Sequence, residues 1–142
     1  MDNIKRIEGL LFSYREIPYI IKKNEIEIKM IEKNFEGISR GNNQIKESTP
    51  TYLINSNVEN ALTTKETRIE ALITEIENLK LKKEMIENAF NSLNKDEKGI
   101  IAVRYFDRTA VKNMADNLDI TEDTIYKACK RIIENKLSRY II

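Results

Sequence analysis

The sequence contains no histidine, which excludes imidazole acid–base catalysis, histidine-based nucleophilic triads and histidine-containing zinc sites. A single cysteine, Cys129, leaves no intrachain disulfide to form and too few sulfur donors for a structural zinc site. Reduced cysteine usage of this kind sets a cytoplasmic location as the expectation. Four glycines and two prolines supply too little turn chemistry for a many-stranded sheet. No apolar run approaches the ~18 residues of a membrane span, and the opening residues Met1 to Glu8 lack the apolar core of a signal peptide. No membrane partner is expected. With 24 basic and 23 acidic side chains the net charge is only +1, so any nucleic-acid surface has to be local. No metal, nucleotide or nucleophile constellation is visible. The expectation is a chain that is not an enzyme, with no cofactor.

What is present is helical periodicity. At 142 residues the chain has about one domain's length. From Asn3 to Phe35, Ile4, Ile7, Leu11, Tyr14, Ile21, Ile28, Ile31 and Phe35 recur at helical spacing, and Pro18 should kink or divide that helix. Residues 36–57 hold two glycines, Pro50 and many Asn, Ser and Thr, which reads as a loop. From Val58 to Leu93 the stripe Leu62, Ile69, Leu72, Ile76, Leu79, Ile86, Phe90, Leu93 runs in steps of three, four and seven, close to a coiled-coil heptad seam. Two long helices joined by a loop fold most simply into an antiparallel hairpin spanning 1–93. The same seam, from Ile69 to Leu93, is alternatively the natural contact for a homodimer.

Residues 94–142 differ in texture, with shorter helices and sharper boundaries. Asn94 and Glu97 have the spacing of a capping box, and the helix they open runs to about Asp107. A second helix spans about Thr109 to Leu118, and Thr121 caps a third that reaches about Leu137. Val111 to Lys130 has the pattern of a helix-turn-helix. Ala115 is small where two helices cross, and Asp119 stands where the chain must turn left-handed, a region Asp tolerates. Met114 and Leu118 are expected to face inward and Ile120 to plug the turn. Ile125, Ala128 and Ile132 are expected to point back at the first helix. Cys129 reads as a small buried hydrophobe.

The outward set on the last helix is then Thr121, Glu122, Asp123, Tyr126, Lys127, Lys130 and Arg131, the candidate DNA-binding residues. They lie toward the end of the helix that such motifs insert into the major groove. The lysines suit phosphates or guanine edges, Glu122 or Asp123 suits a cytosine amino group, and the helix N-terminus at Thr121 suits a phosphate. Between Tyr126 and Ile142, Lys127, Lys130, Arg131, Lys136 and Arg139 stand against Glu134 alone, a local excess of four positive charges. A basic helix is also often a plain solvated face, and Glu122 and Asp123 repel phosphate. The carboxylate pairs Asp96-Glu97 and Glu122-Asp123 read as helix-start residues.

The run from Leu93 to Phe106, with its Ile100-Ile101 pair and Arg104-Tyr105-Phe106, resembles the opening of region four of bacterial sigma factors. The continuation from Val111 to Tyr126 is similar to the helix-turn-helix of that region, with Asp119 where the family has glycine. The likeness covers about 45 residues. Nothing in residues 1–92 looks like the promoter-melting region of a full sigma factor. The layout as a whole resembles the RinA/ArpU-type phage late-gene transcriptional regulators. That resemblance implies DNA binding at a promoter, activation of transcription and RNA polymerase as a partner.

The expectation is therefore an all-α protein, a long coiled-coil-like hairpin (1–93) followed by a tri-helical DNA-binding domain (94–142), acting as a sequence-specific transcription regulator of a phage or prophage. Two other readings stay open. One is a phage DNA-packaging component resembling a small terminase subunit, which would form a ring. The other is an interaction module that binds polymerase or a sigma factor without touching DNA.

Overall fold

In the computed structural model the described residues are 2–45 and 51–142, with side chains described over 3–34 and 63–142. They form helices and, among them, no strand, so the fold is all-α. Helix α1 (Asp2–Ser13) gives way to a single 3₁₀ turn, Tyr14–Glu16, before α2 (Ile17–Ile45) begins. Pro18 explains the division. Inside a continuous helix its ring would collide with the carbonyl of Tyr14, whereas in the first turn of a new helix its missing N–H costs nothing.

Helix α3 spans Thr51–Asn91. The loop expected over 36–57 is thus corrected: 36–45 and 51–57 are helical, and residues 46–50 lie outside the described residues. Asn, Ser and Thr each disfavour a helix by well under ~1 kcal/mol, and Gly by about that much. A helix propagating along the chain overrides so weak a bias.

The chain divides into two compact units, Tyr19–Leu79 and a second made of Met1–Pro18 with Lys80–Ile142. In the first unit Leu72, Ile76 and Asn24 are buried, and Arg68 pairs with Glu27. Those two residues stand nearly equal numbers of residues from Thr51 and Ile45, the adjoining ends of α3 and α2 in sequence. That is the register of an antiparallel hairpin. The Asn24 side-chain nitrogen is buried without a hydrogen-bond partner among the described residues, a cost of about 1–3 kcal/mol set against its seam position.

The second unit corrects the division at 93/94. Its core combines Ile7 and Leu11 of α1, Ile17, Ile86 and Ala89 of α3, and Leu93 with Ile101, Tyr105, Val111, Met114, Ile125, Ile132, Ile133, Leu137 and Ile141. The reason is area: three short C-terminal helices bury little apolar surface among themselves, and α1 and the end of α3 add Ile7, Leu11, Ile86 and Ala89 to it. Polar contacts follow the same path. Tyr105 Oη donates to Glu8 Oε2 at 2.8 Å, and Tyr14 Oη donates to Glu87 Oε2 at 3.0 Å. Arg6 donates to the Ile142 carbonyl at 2.7 Å. Arg108, itself at φ 56°, donates to the Phe12 carbonyl at 2.7 Å and Glu16 at 2.9 Å. The stripe considered for a dimer seam is spent within the chain, because Leu72, Ile76, Ile86 and Leu93 are all buried in it.

This packing makes α1 a part of the C-terminal unit. Leu11→Ala, at a fully buried site, is expected to cost about 2–5 kcal/mol in urea unfolding followed on the C-terminal helices. An effect below about 0.5 kcal/mol, the usual range of a surface change, would separate α1 from that unit.

Candidate nucleic-acid interface

The C-terminal helices are cut by local chemistry. Asn94 accepts from the Glu97 N–H at 2.9 Å while Glu97 accepts from the Asn94 N–H at 3.0 Å, a complete capping box at the start of α4 (Lys95–Ile101). α4 continues as a π-helical turn, Ala102–Phe106, closed by the Asp107 N–H on the Ala102 carbonyl at 2.8 Å. The wider turn sends two successive aromatics into contact with the rest of the unit. Tyr105 meets Phe12 edge-on at 4.9 Å, and Phe106 lies 4.5 Å from Tyr14 and 5.2 Å from Phe90.

Helix α5 (Val111–Leu118) ends at Asp119, which adopts φ 56°, ψ 44°. This is the left-handed turn the motif requires. The N–H groups of Asp119 and Ile120 both donate to the Ala115 carbonyl, so the small buried Ala115 also terminates the helix. Thr121 then caps α6 (Glu122–Asn135), its hydroxyl accepting from the Thr124 N–H at 3.2 Å.

The inward face departs from expectation in three places. Met114 and Ala115 are buried, but Leu118 is 55% exposed and Ile120 41% exposed. Leu118 is the last residue of a helix of little more than two turns, beyond the crossing with α6, so the turn carries it and Ile120 outward. On α6 the buried stripe is Ile125, Cys129, Ile132 and Ile133, with Ala128 only half-buried. The stripe follows i, i+4, i+7, i+8 spacing, and Cys129 takes the position assigned to Ala128. Burial pushes the Cys129 thiol up from its ordinary pKa, which makes it an inert hydrophobe. Burial likewise raises Tyr105, whose hydroxyl donates to Glu8.

All seven candidate residues are exposed, and they sort into three groups. Thr121 and Glu122 sit at the start of α6, the threonine hydroxyl already spent as the cap. Asp123, Lys127 and Arg131 lie four residues apart on the face opposite the core stripe. Tyr126 and Lys130 edge a groove shared with α1, lined also by Lys5, Glu8 and Glu134. The ion pairs redistribute the expected basic patch. Lys127 pairs with Asp123 at 2.9 Å, an exposed helical pair worth about 0.3–0.5 kcal/mol, so a phosphate can compete for the lysine. Lys136 leaves the patch, donating to Glu97 at 2.8 Å. Among the described residues, Lys130, Arg131 and Arg139 make no ion pair.

One residue beside the site was not singled out from the sequence. The Arg104 guanidinium lies 5.2 Å from the Phe12 ring, 5.4 Å from Tyr105 and 5.9 Å from Tyr126. It adds a positive charge on the α1 side of α6 and holds the Tyr126 ring in place. Its i, i+1 relation to Tyr105 gave no periodic signal, since the π turn moves it.

Among the described residues no group of acidic or sulfur side chains converges as a metal site, and no helix is long and apolar enough to cross a membrane. An all-α chain with a capped, left-handed helix–turn–helix and an exposed mixed-charge second helix is the class this fold defines. Over residues 4–138 the chain matches the profile of one family, and it belongs to that family, which is described as a protein of unknown function (DUF722). Neither the curated proteins nor the solved structures contain a match to it.

Two outcomes test this geometry. Asp119→Val, a β-branched residue forced left-handed, should lower stability by about 1–2 kcal/mol, while Asp119→Gly should not; equal losses would refute the turn. The Lys136 hydrogen bond, and after it that of Asn94, holds the Glu97 carboxyl below its ordinary pKa. A depressed carboxylate stabilises the fold above its unfolded value, and that contribution is lost as pH falls through the folded value. Glu97→Gln should therefore cost stability near neutral pH and converge on the parent protein at acid pH, in urea midpoints measured across the carboxylate range.

Proposed function

We propose that this protein is a sequence-specific DNA-binding transcription regulator that reads duplex DNA with α6. The observation that carries the reading is the Ala115–Asp119–Thr121 joint. It sets α6 against α5 with Asp123, Lys127 and Arg131 on its outer face and Tyr126 and Lys130 along one edge, none of them spent in the core. Backbone amides of the first turn and the cations Lys130 and Arg131 suit phosphates, while Lys127 and Asp123 suit base edges. The near-neutral balance of that face favours base readout over bulk attraction. The likeness to sigma region four extends the proposal to promoters, with RNA polymerase as partner and phage late genes as the setting. A second reading, a module that binds polymerase or a sigma factor without DNA, draws support from the exposed Val103, Leu118 and Ile120.

Fluorescence anisotropy with a selected duplex separates them. Affinity should fall steeply as salt rises from about 50 to about 200 mM. Lys130→Ala should weaken binding to all duplexes alike and reduce the salt slope by about 1, with the fold retained. Asp123→Asn, which frees Lys127 and removes a repulsive charge, should raise non-specific affinity. Absence of duplex binding at about 50 mM salt would leave only the second reading.

A further inference from the structure

The hairpin unit carries two solvent faces of opposite charge. On α2 the residues turned away from the buried Asn24 are Tyr19, Lys22, Ile26, Lys29, Met30 and Lys33, all exposed, with no acidic side chain among them. On α3 the exposed row is Glu66, Glu70, Ile73 and Glu77, with no basic side chain among them. Among the described residues none of the three lysines or three glutamates enters an ion pair, whereas Arg68 and Glu27 pair with each other. The α2 face also exposes Tyr19, Ile26 and Met30, and the α3 face exposes Ile73 at the middle of its row.

The spacings of the two rows match in reverse. Reading α2 backwards, Lys33, Lys29, Ile26 and Lys22 are separated by four, three and four residues; reading α3 forwards, Glu66, Glu70, Ile73 and Glu77 are separated by the same steps. An antiparallel helix pair in one register therefore sets Lys33 against Glu66, Lys29 against Glu70, Ile26 against Ile73 and Lys22 against Glu77. The two faces lie on opposite sides of helices already packed together within one chain, so the partner must come from another.

We propose that the protein self-associates by docking the lysine face of α2 onto the glutamate face of α3 of a second copy, in this antiparallel register. Each chain offers the two faces on different sides, so the contact is heterologous, the lysine face of one copy meeting the glutamate face of the next. The Ile26–Ile73 contact supplies burial, and the flanking Lys–Glu pairs set register and direction. The inference stands on the hairpin alone and does not depend on DNA binding.

Sedimentation of the full chain tests it with two charge-reversed variants. Wild type should associate reversibly to a mass of two chains or more. Lys29→Glu/Lys33→Glu has two acidic faces, and Glu66→Lys/Glu70→Lys has two basic ones. Each alone should dissociate, with the midpoint concentration raised about tenfold or more as attraction becomes repulsion. Mixed one to one, the variants should recover the assembly, because each then offers the face its partner needs. A wild type that is monomeric across the concentration range, an assembly indifferent to both reversals, or a mixture that fails to recover would each overturn the proposal. Circular dichroism of the variants confirms that helix content is unchanged, so that loss of mass reports the interface.

Discussion

The position of Tyr105 is the constraint on which the candidate site rests. A phenol ring is expensive to bury unless its hydroxyl is satisfied, and here the hydroxyl donates to Glu8 of α1. The ring sits edge-on to Phe12 and beside Cys129, so one side chain joins the N-terminal helix, the π-helical turn and α6. The distance in sequence between Glu8 and Tyr105 makes this a long-range closure, paid for by the burial of Ile7, Leu11, Ile86 and Ile132 around it.

From that closure follow the features of the site. α1 covers one flank of α6 and leaves the opposite face in solvent, which decides that Asp123, Lys127 and Arg131 point outward while Tyr126 and Lys130 look along a groove toward Lys5 and Glu8. The same packing places Arg104 over Tyr126. The resulting surface is electrically mixed, with carboxylates at Glu122, Asp123 and Glu134 interleaved among the cations. A surface of this kind discriminates between partners more than it attracts them, which suits a reader of base edges better than a general phosphate binder.

Much of this architecture was legible in the residues because it is local. The capping box at Asn94 and Glu97, the left-handed Asp119, the Thr121 cap and the break at Pro18 all arise from one residue's own stereochemistry, and each stands where its chemistry placed it. The all-α class followed from scarce glycine and proline with helical periodicity. What could not be read was non-local. Which helix covers the back of the C-terminal unit depends on area supplied from residues 1–18, and no periodicity reports that. The exposure of Leu118 and Ile120 depends on where two short helices cross. The exchange of Ala128 for Cys129 on the core stripe is a rotation of one residue, which an apolar pattern containing both could not resolve. The loop assigned to 36–57 failed because composition alone weighs too little against helix propagation.

Nuclear magnetic resonance of the labelled full chain, titrated with duplex DNA, tests the central claim most directly. The account predicts saturable amide shifts concentrated in Thr121 to Arg131, with smaller ones along the α1 edge of α6 and none at the buried core of α3. Shifts confined to other helices, or no shifts at low salt, would contradict it.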